Sequence, residues 1–285
     1  MRKRQLPVFA TLVCLLLVPL VASADSHEMA PKPLTWISYV QSQTGKSMAL
    51  SQYIAKNGGE IYDGLMADGH ILAWGVALPV NHRAGDGWNV MEWVTFRDWA
   101  ALDAFMGAFM ARQMSKSPED MVKEQEEWYS LIEAGSHFDE IYRHQIFEAG
   151  DGSGRLAYFN LGYQTAKPGQ GQALTGQFKK FASPVMDKLL EAGEVTSYGL
   201  ATPAVHGGEG GSHVFWYGMS TLAARDVVSA GFEAAGKERG EEKQKEVMAG
   251  FMETIDFGAH HDRIMMVVHT GGGGGDYGEG GEGGE

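Results

Sequence analysis

The amino-acid sequence points to an α+β fold in which one β-α-β-β-α-β unit occurs twice in tandem. The first sign is an internal repeat. The phrase "WGVALPVNHRAGDG" at 74–87 returns as "YGLATPAVHGGEGG" at 198–211, aligning Gly75 with Gly199, Pro79 with Pro203 and His82 with His206 at a spacing of 124. "SHFDEI" from Ser136 meets "AHHDRI" from Ala259 at a spacing of 123, which pairs His137 with His260 and Asp139 with Asp262. "MADGHI" (66–71) likewise meets "LEAGEV" (190–195). The second sign is that each copy holds four runs rich in aromatic and β-branched residues, as strands are. The third is an apolar stripe at steps of three and four between those runs, as in helices packed by one face.

The elements follow in order. "LTWISYVQS" (34–42) and "RLAYFNLGY" (155–163) read as first strands. In the second copy, Leu174, Phe178, Phe181, Val185 and Leu189 form a helical stripe, leaving Lys179, Lys180, Lys188 and Glu191 to solvent. Ser183-Pro184 reads as a helix restart with serine as cap and proline at the first helical position. Asn57-Gly58-Gly59 predicts a break at the equivalent point of the first copy. Gly69 and Gly193 are placed to end these helices in the left-handed conformation.

"HILAWGVAL" and "EVTSYGLAT" are second strands, stopped by Pro79 and Pro203, which lack the N–H that a ladder needs. "WNVMEWVTF" and "SHVFWYGMS" are third strands, so the repeated phrase becomes a long hairpin loop. The next helices begin near Asp98, with the stripe Trp99, Leu102, Met106 and Phe109, and near Thr221. Ser117-Pro118-Glu119-Asp120 caps a further helical piece carrying Met121, Gln125, Trp128 and Ile132. "FDEIYRHQIF" and "HDRIMMVVHT" close the two units.

Residues 1–24 read as a cleavable secretory signal, with Arg2, Lys3 and Arg4 ahead of an apolar stretch and Ala22-Ser23-Ala24 as the cleavage site. A secreted or periplasmic location follows as an expectation. A linker occupies 25–33, the repeats 34–149 and 150–270, and a Gly/Glu-rich tail 271–285, too polar to bury and expected to be disordered. The single cysteine, Cys14, falls within the signal, so no disulfide or thiolate site is expected in the mature chain. Without the three basic signal residues the formal charge falls from −13 to −16. That charge repels phosphate backbones and anionic lipid, so nucleic acid is a poor candidate partner, and no later segment reads as a membrane span.

The element order resembles the dimeric α/β-barrel superfamily, in which two ferredoxin-like units pack sheet against sheet; here one chain would supply both. The resemblance covers roughly Leu34 to Thr270 and rests on element order and the repeat. It implies a barrel with a central cavity that binds a small apolar or aromatic molecule. The superfamily includes cofactor-independent monooxygenases, muconolactone isomerases, stress-responsive barrel proteins and haem enzymes related to chlorite dismutase. One fold hosts many chemistries, so an oxidoreductase without cofactor stands beside a non-catalytic ligand-binding or assembly module.

Two constellations carry candidate chemistry. Glu92 interrupts an apolar strand where the second copy has Phe215, and Arg143-His144 interrupts another where it has Met266-Val267. Polar groups at such positions mark sites or pair structurally, for instance Glu92 with Arg143. Glu92, His144 and Tyr39 are the catalytic candidates, with Trp36 and Trp74 as further cavity walls; His144 is also the residue that could ligate a haem iron. The other constellation is the histidine-rich loops. If metal binds, His206, Glu209, His213 and His260 of the second copy are the candidate ligands, because Arg83 beside His82 would repel a cation. Otherwise these histidines are hairpin surface, with Asp139 and Asp262 capping backbone groups, or serve in acid-base catalysis. No G-x-S-x-G elbow offers a hydrolase nucleophile.

Overall fold

A computed structural model describes residues 32–81, 86–151, 154–205 and 211–271. The stretch expected to be a signal, His82, His206, Glu209 and the residues beyond 271 lie outside them. The first repeat runs β1 (Leu34–Val40), α1 (Ser47–Ala67), β2 (Ile71–Pro79), β3 (Val90–Phe96), α2 (Trp99–Ser115), α3 (Pro118–Leu131) and β4 (Phe138–Ala149). The second runs β5 (Tyr158–Ala166), α4 (Gly171–Gln177), α5 (Ser183–Glu191), β6 (Ser197–Pro203), β7 (His213–Met219), α6 (Ala224–Arg239), α7 (Glu241–Thr254) and β8 (Ile255–Thr270). The strands form one closed barrel in the order β1-β3-β2-β8-β5-β7-β6-β4, with every pairing antiparallel. Each repeat contributes a four-stranded ferredoxin-like sheet. The β2–β8 and β6–β4 pairings join the two, so each hairpin loop emerges beside the fourth strand of the other repeat. Asn81 accordingly bonds Ile264 N–H rather than any residue of its own repeat's last strand.

Closure explains why the aromatic-glycine pair is written twice. A Cβ at Gly75 would collide with the Trp93 ring, and one at Gly199 would come within 2.7 Å of Trp216. Glycine lets a neighbouring strand's tryptophan lie across the backbone. The aromatics before them face the opposite way and anchor a helix. Trp74 Nε1 donates to Asp63 of α1 at 2.8 Å, and the Tyr198 hydroxyl donates to Asp187 of α5, the equivalent position. Pro79 and Pro203 end β2 and β6 as expected, and Gly69 and Gly193 both sit at φ +73° beyond their helices. Asp98 and Ser117 cap α2 and α3 through the N–H groups of Ala101 and Asp120.

Four local expectations differ from the structure. Helix α1 runs unbroken through Asn57-Gly58-Gly59, because those glycines accommodate rings rather than end the helix. A Cβ at Gly58 would meet Tyr62, and one at Gly59 would lie 3.2 Å from Trp74. In the second repeat a π-helical turn, Phe178–Ala182, joins α4 to α5. Pro184 just after it lacks an N–H for the regular bond, which the wider turn accommodates; Ser183 caps nothing. On α2 the buried face is Ala101, Leu102 and Phe105, whereas Trp99, Met106 and Phe109 are about two-fifths exposed. Finally, α7 is an additional helix, β8 starts several residues earlier than "HDRIMMVVHT", and α6 begins at Ala224.

Candidate functional site

Two cavities lie back to back on opposite faces of β1 and β3. Along these strands Thr35, Ile37, Met91, Trp93 and Thr95 face the barrel interior, whereas Trp36, Ser38, Glu92 and Val94 face the helices. The outer cavity is a cleft of ≈ 550 Å³ between this wall and α1, α2 and α3. Trp36, Phe105, Met106, Phe109 and Trp128 make its walls apolar. Glu92 sits recessed in the wall, where the Tyr62 hydroxyl donates to its Oε1 at 2.6 Å. Loss of solvation raises the Glu92 carboxyl to about 7, against the counter-effect of that hydrogen bond. The same desolvation, with the carboxylate beside it, pushes the Tyr62 hydroxyl well above its ordinary value.

A second acidic group stands nearby in a different state. Burial works against ionisation of Asp139, but bonds from His137 and Ser38 hold it below the usual carboxylate range. His137, on the cleft wall, contacts Asp139 at 3.1 Å, and this bond raises the imidazole above its ordinary value. Two carboxyl groups in one neighbourhood are thus driven in opposite directions, the arrangement that separates a proton donor from a standing anion. Arg112 and Gln125 add polar groups to the lining, with Arg112 reaching toward Asn57 Oδ1 at 3.5 Å.

At the matching place in the second repeat aromatic rings pack against one another. Phe215 stands where the first repeat has Glu92. Phe178, equivalent to Ile54, stacks on it at 5.2 Å, and Phe251, equivalent to Trp128, meets Phe178 edge-on at 5.6 Å. Aromatic rings fill the volume that the first repeat leaves open.

The inner cavity, ≈ 310 Å³, lies inside the barrel. His144 lines it, with Nε2 2.7 Å from Thr35 Oγ1, which in turn is 2.8 Å from Thr95 Oγ1. Burial lowers the His144 imidazole to about 4, so it is neutral near pH 7. The equivalent positions of the second repeat are Val267, Phe159 and Gly218. Tyr39 and its repeat counterpart Tyr163 meet hydroxyl to hydroxyl at 3.0 Å, and Tyr142 donates to Glu140 at 2.6 Å.

The three expected catalytic residues are therefore not brought together. Tyr39 and His144 belong to the barrel interior, and Glu92 to the helix side. The registers Tyr39↔Met91 and Ser38↔Glu92 set this division, because neighbouring side chains on a strand leave opposite faces. Trp36 lines the outer cleft and Trp74 is tied to α1, so neither shares the interior. Arg143 is exposed, and the Glu92 carboxyl accepts from the Tyr62 hydroxyl instead. No sequence pattern marks Tyr62, Arg112 or the closeness of His137 to Glu92 as belonging to the cleft. The Glu92-to-Phe215 difference between copies was the signal that could have led to it.

Of the candidate metal ligands, His206 and Glu209 lie outside the described residues. His213 is buried and bonded: Nδ1 lies 2.8 Å from Ser212 Oγ, and Nε2 lies 3.1 Å from both Gly171 O and Thr175 Oγ1. His260 contacts the Tyr163 carbonyl at 3.1 Å and Asp262 at 3.5 Å. Asp139 and Asp262 thus each contact a histidine. Among the described residues no three His, Cys, Asp or Glu side chains cluster as a metal site. His144 does not fit a haem iron: Thr35 Oγ1 lies at Nε2, the unpartnered Nδ1 is fully enclosed, and Phe147 and Trp216 close on the ring at 5.0 and 5.6 Å.

No family model and no curated protein matches the chain. Solved structures do. A candidate monooxygenase of Lactobacillus acidophilus NCFM aligns with a TM-score of 0.54 at 12% identity, covering 83% of this chain and 94% of the other. A candidate monooxygenase of Fusobacterium nucleatum aligns at 0.53 and 10%, covering 87% and 97%. The fold is the dimeric α/β barrel. Here a single chain of that fold supplies both ferredoxin-like units, and its first unit holds the Glu92 cleft. Among the described residues, no helix is long and apolar enough to cross a membrane.

Proposed function

We propose that the protein binds a small apolar or aromatic molecule in the outer cleft of the first repeat and that Glu92 exchanges a proton with it. One observation carries this reading: a carboxyl group held near pKa 7 in the wall of a ≈ 550 Å³ aromatic cleft. A general acid or base is most effective when its pKa lies near the working pH. Pockets of this volume lined by aromatic side chains suit compact organic ligands. This moves the expected ligand from the central cavity to the helix side, where the titratable group stands.

The likeness to two candidate monooxygenases supports an oxidoreductase, and the form proposed is one that uses no cofactor. In such a reaction Glu92 takes a proton from a weakly acidic O–H or C–H of the substrate. The electron-rich carbanion gives two electrons to dioxygen and takes back the proton from Glu92, forming a carbon-bound hydroperoxide. Loss of the second proton from that carbon then breaks the O–O bond, leaving a C=O group and releasing the other oxygen as water. The substrate CH2 thus supplies all four electrons. His137, whose charged form the Asp139 contact favours, is placed to offset the negative charge that develops. A ligand carrier without turnover needs only the apolar walls and is the second reading.

Hydroxynaphthalenes test both. Binding should quench tryptophan fluorescence, and oxygen uptake should report turnover. Glu92→Gln should preserve binding but lower uptake by about 100-fold or more, the ordinary contribution of a general base. Binding without uptake in the wild type selects the carrier. Binding that survives Ile54→Phe, which fills the cleft as the second repeat does, would remove the cleft from the account. The export expectation is tested separately, by the N-terminal sequence of the mature protein.

A further inference from the structure

We infer that the ligand of the outer cleft carries a carboxylate at the end away from Glu92, and that the Arg112 guanidinium receives it. The inference rests on the cleft reading and narrows its ligand class to aromatic acids. Besides tyrosines, the ionisable side chains of the lining are Glu92, Arg112, Glu124 and His137. Three of these are committed within the protein. Glu92 accepts from Tyr62, His137 contacts Asp139, and Glu124 pairs with Lys116.

Arg112 is different. Among the described residues no carboxylate lies within ion-pair distance of it. Its contact is the neutral Asn57 Oδ1 at 3.5 Å, longer than an ordinary hydrogen bond. A guanidinium offers five N–H donors in a planar fork, so most of its capacity is unused by the protein. The chain has 36 acidic residues against 23 basic ones, and Lys116 and the buried Arg263 each have a carboxylate. Arg112 is half-buried and faces aromatic walls, where a charge is screened less than on open surface.

The placement separates the two polar ends of the cleft. Arg112 stands in the last turn of α2, where any cation suits the helix dipole, but only arginine brings a fork that matches a carboxylate through two bonds. Asn57 beside it lies five residues before Tyr62, which holds Glu92, about 7.5 Å of rise along α1. The positive charge of Arg112 is felt at both the Tyr53 and Tyr62 hydroxyls. A two-ring aromatic acid can therefore set its carboxylate on Arg112 and present its far end to Glu92. With Lys116 already engaged by Glu124, the single guanidinium balances a monoanion and would leave a dianionic phosphate half neutralised.

The test compares 6-hydroxy-2-naphthoate with 2-naphthol, which lacks only the carboxylate. Calorimetry is done on the full chain at pH 6, where the ligand carboxyl is ionised and Glu92 is largely protonated. The naphthoate should bind about tenfold tighter or more in the wild type, as a charge-assisted pair contributes, and added salt should shrink the difference. Arg112→Gln should bring the naphthoate down to the affinity of the naphthol, and Arg112→Lys should give an intermediate preference. Equal binding of the two compounds in the wild type, or a preference that persists in Arg112→Gln, would overturn the inference and leave the cleft reading standing on the naphthol. An Arg112→Gln variant that weakens both compounds equally would also overturn it, since Arg112 then only shapes the wall. Failure of both compounds to bind the wild type would remove the cleft reading together with this one.

Discussion

Moving the Glu92 carboxyl from water into the cleft wall disfavours its charged form, so its protonation is linked to folding. Its folded value of about 7 lies above the ordinary 4.5. Stability from this group is whole below 4.5 and falls as pH rises through about 7, by at most about 3 kcal/mol. His144 behaves oppositely. With a folded value of about 4 against 6.5, its contribution is whole above 6.5 and falls as pH drops toward 4. Urea unfolding at intervals from pH 4 to 8 should therefore give different corrections: Glu92→Gln flattens the alkaline loss, and His144→Gln flattens the acid loss. Identical pH profiles for both variants and the wild type would contradict these assignments. Glu92 and His144 were legible in the sequence as polar interruptions, but their separation was not. The third strand is apolar on both faces, so its alternation does not say which face meets the barrel interior. Only the register with β1 decides it.

At the scale of elements, the repeated phrase concerns packing. The Asp63–Trp74 and Asp187–Tyr198 bonds each tie a helix to a second strand. Asp63→Ala and Asp187→Ala should each cost about 1 kcal/mol, and the double variant about their sum, since the sites share no partner. Gly75→Ala and Gly199→Ala should cost more, about 1–3 kcal/mol, because the neighbouring tryptophan ring and a backbone carbonyl must both move. Thermal melts of the four variants check this order; a neutral Gly75→Ala would contradict it. The strand-stopping prolines and the helix-ending glycines could be read from the sequence, as local chemistry sets them. The unbroken α1 could not: Gly58 and Gly59 resemble a break until Tyr62 and Trp74 are seen lying over them.

For the whole molecule, neither repeat can satisfy its sheet alone. The outer edges of each four-stranded sheet, β2 and β4 or β6 and β8, pair only with the other repeat, and an unpaired edge recruits another strand. The isolated fragment 34–149 should therefore form a homodimer that rebuilds the barrel, seen as a doubled mass in sedimentation. A folded monomer would contradict the dependence on closure. The duplication itself was plain from spacing. Its functional asymmetry was visible only as Glu92 against Phe215, because the helices that pack over that strand determine whether the difference opens a cleft or fills one.

The reading of the cleft depends on one carboxyl group titrating near neutrality. Infrared difference spectra of isotope-labelled protein, recorded against pH for wild type and Glu92→Gln, observe that group through its protonated C=O stretch. A band present at pH 5.5, lost with a midpoint near 7 and absent from the variant, is the predicted result. A Glu92 carboxyl already ionised at pH 5.5 would contradict the account.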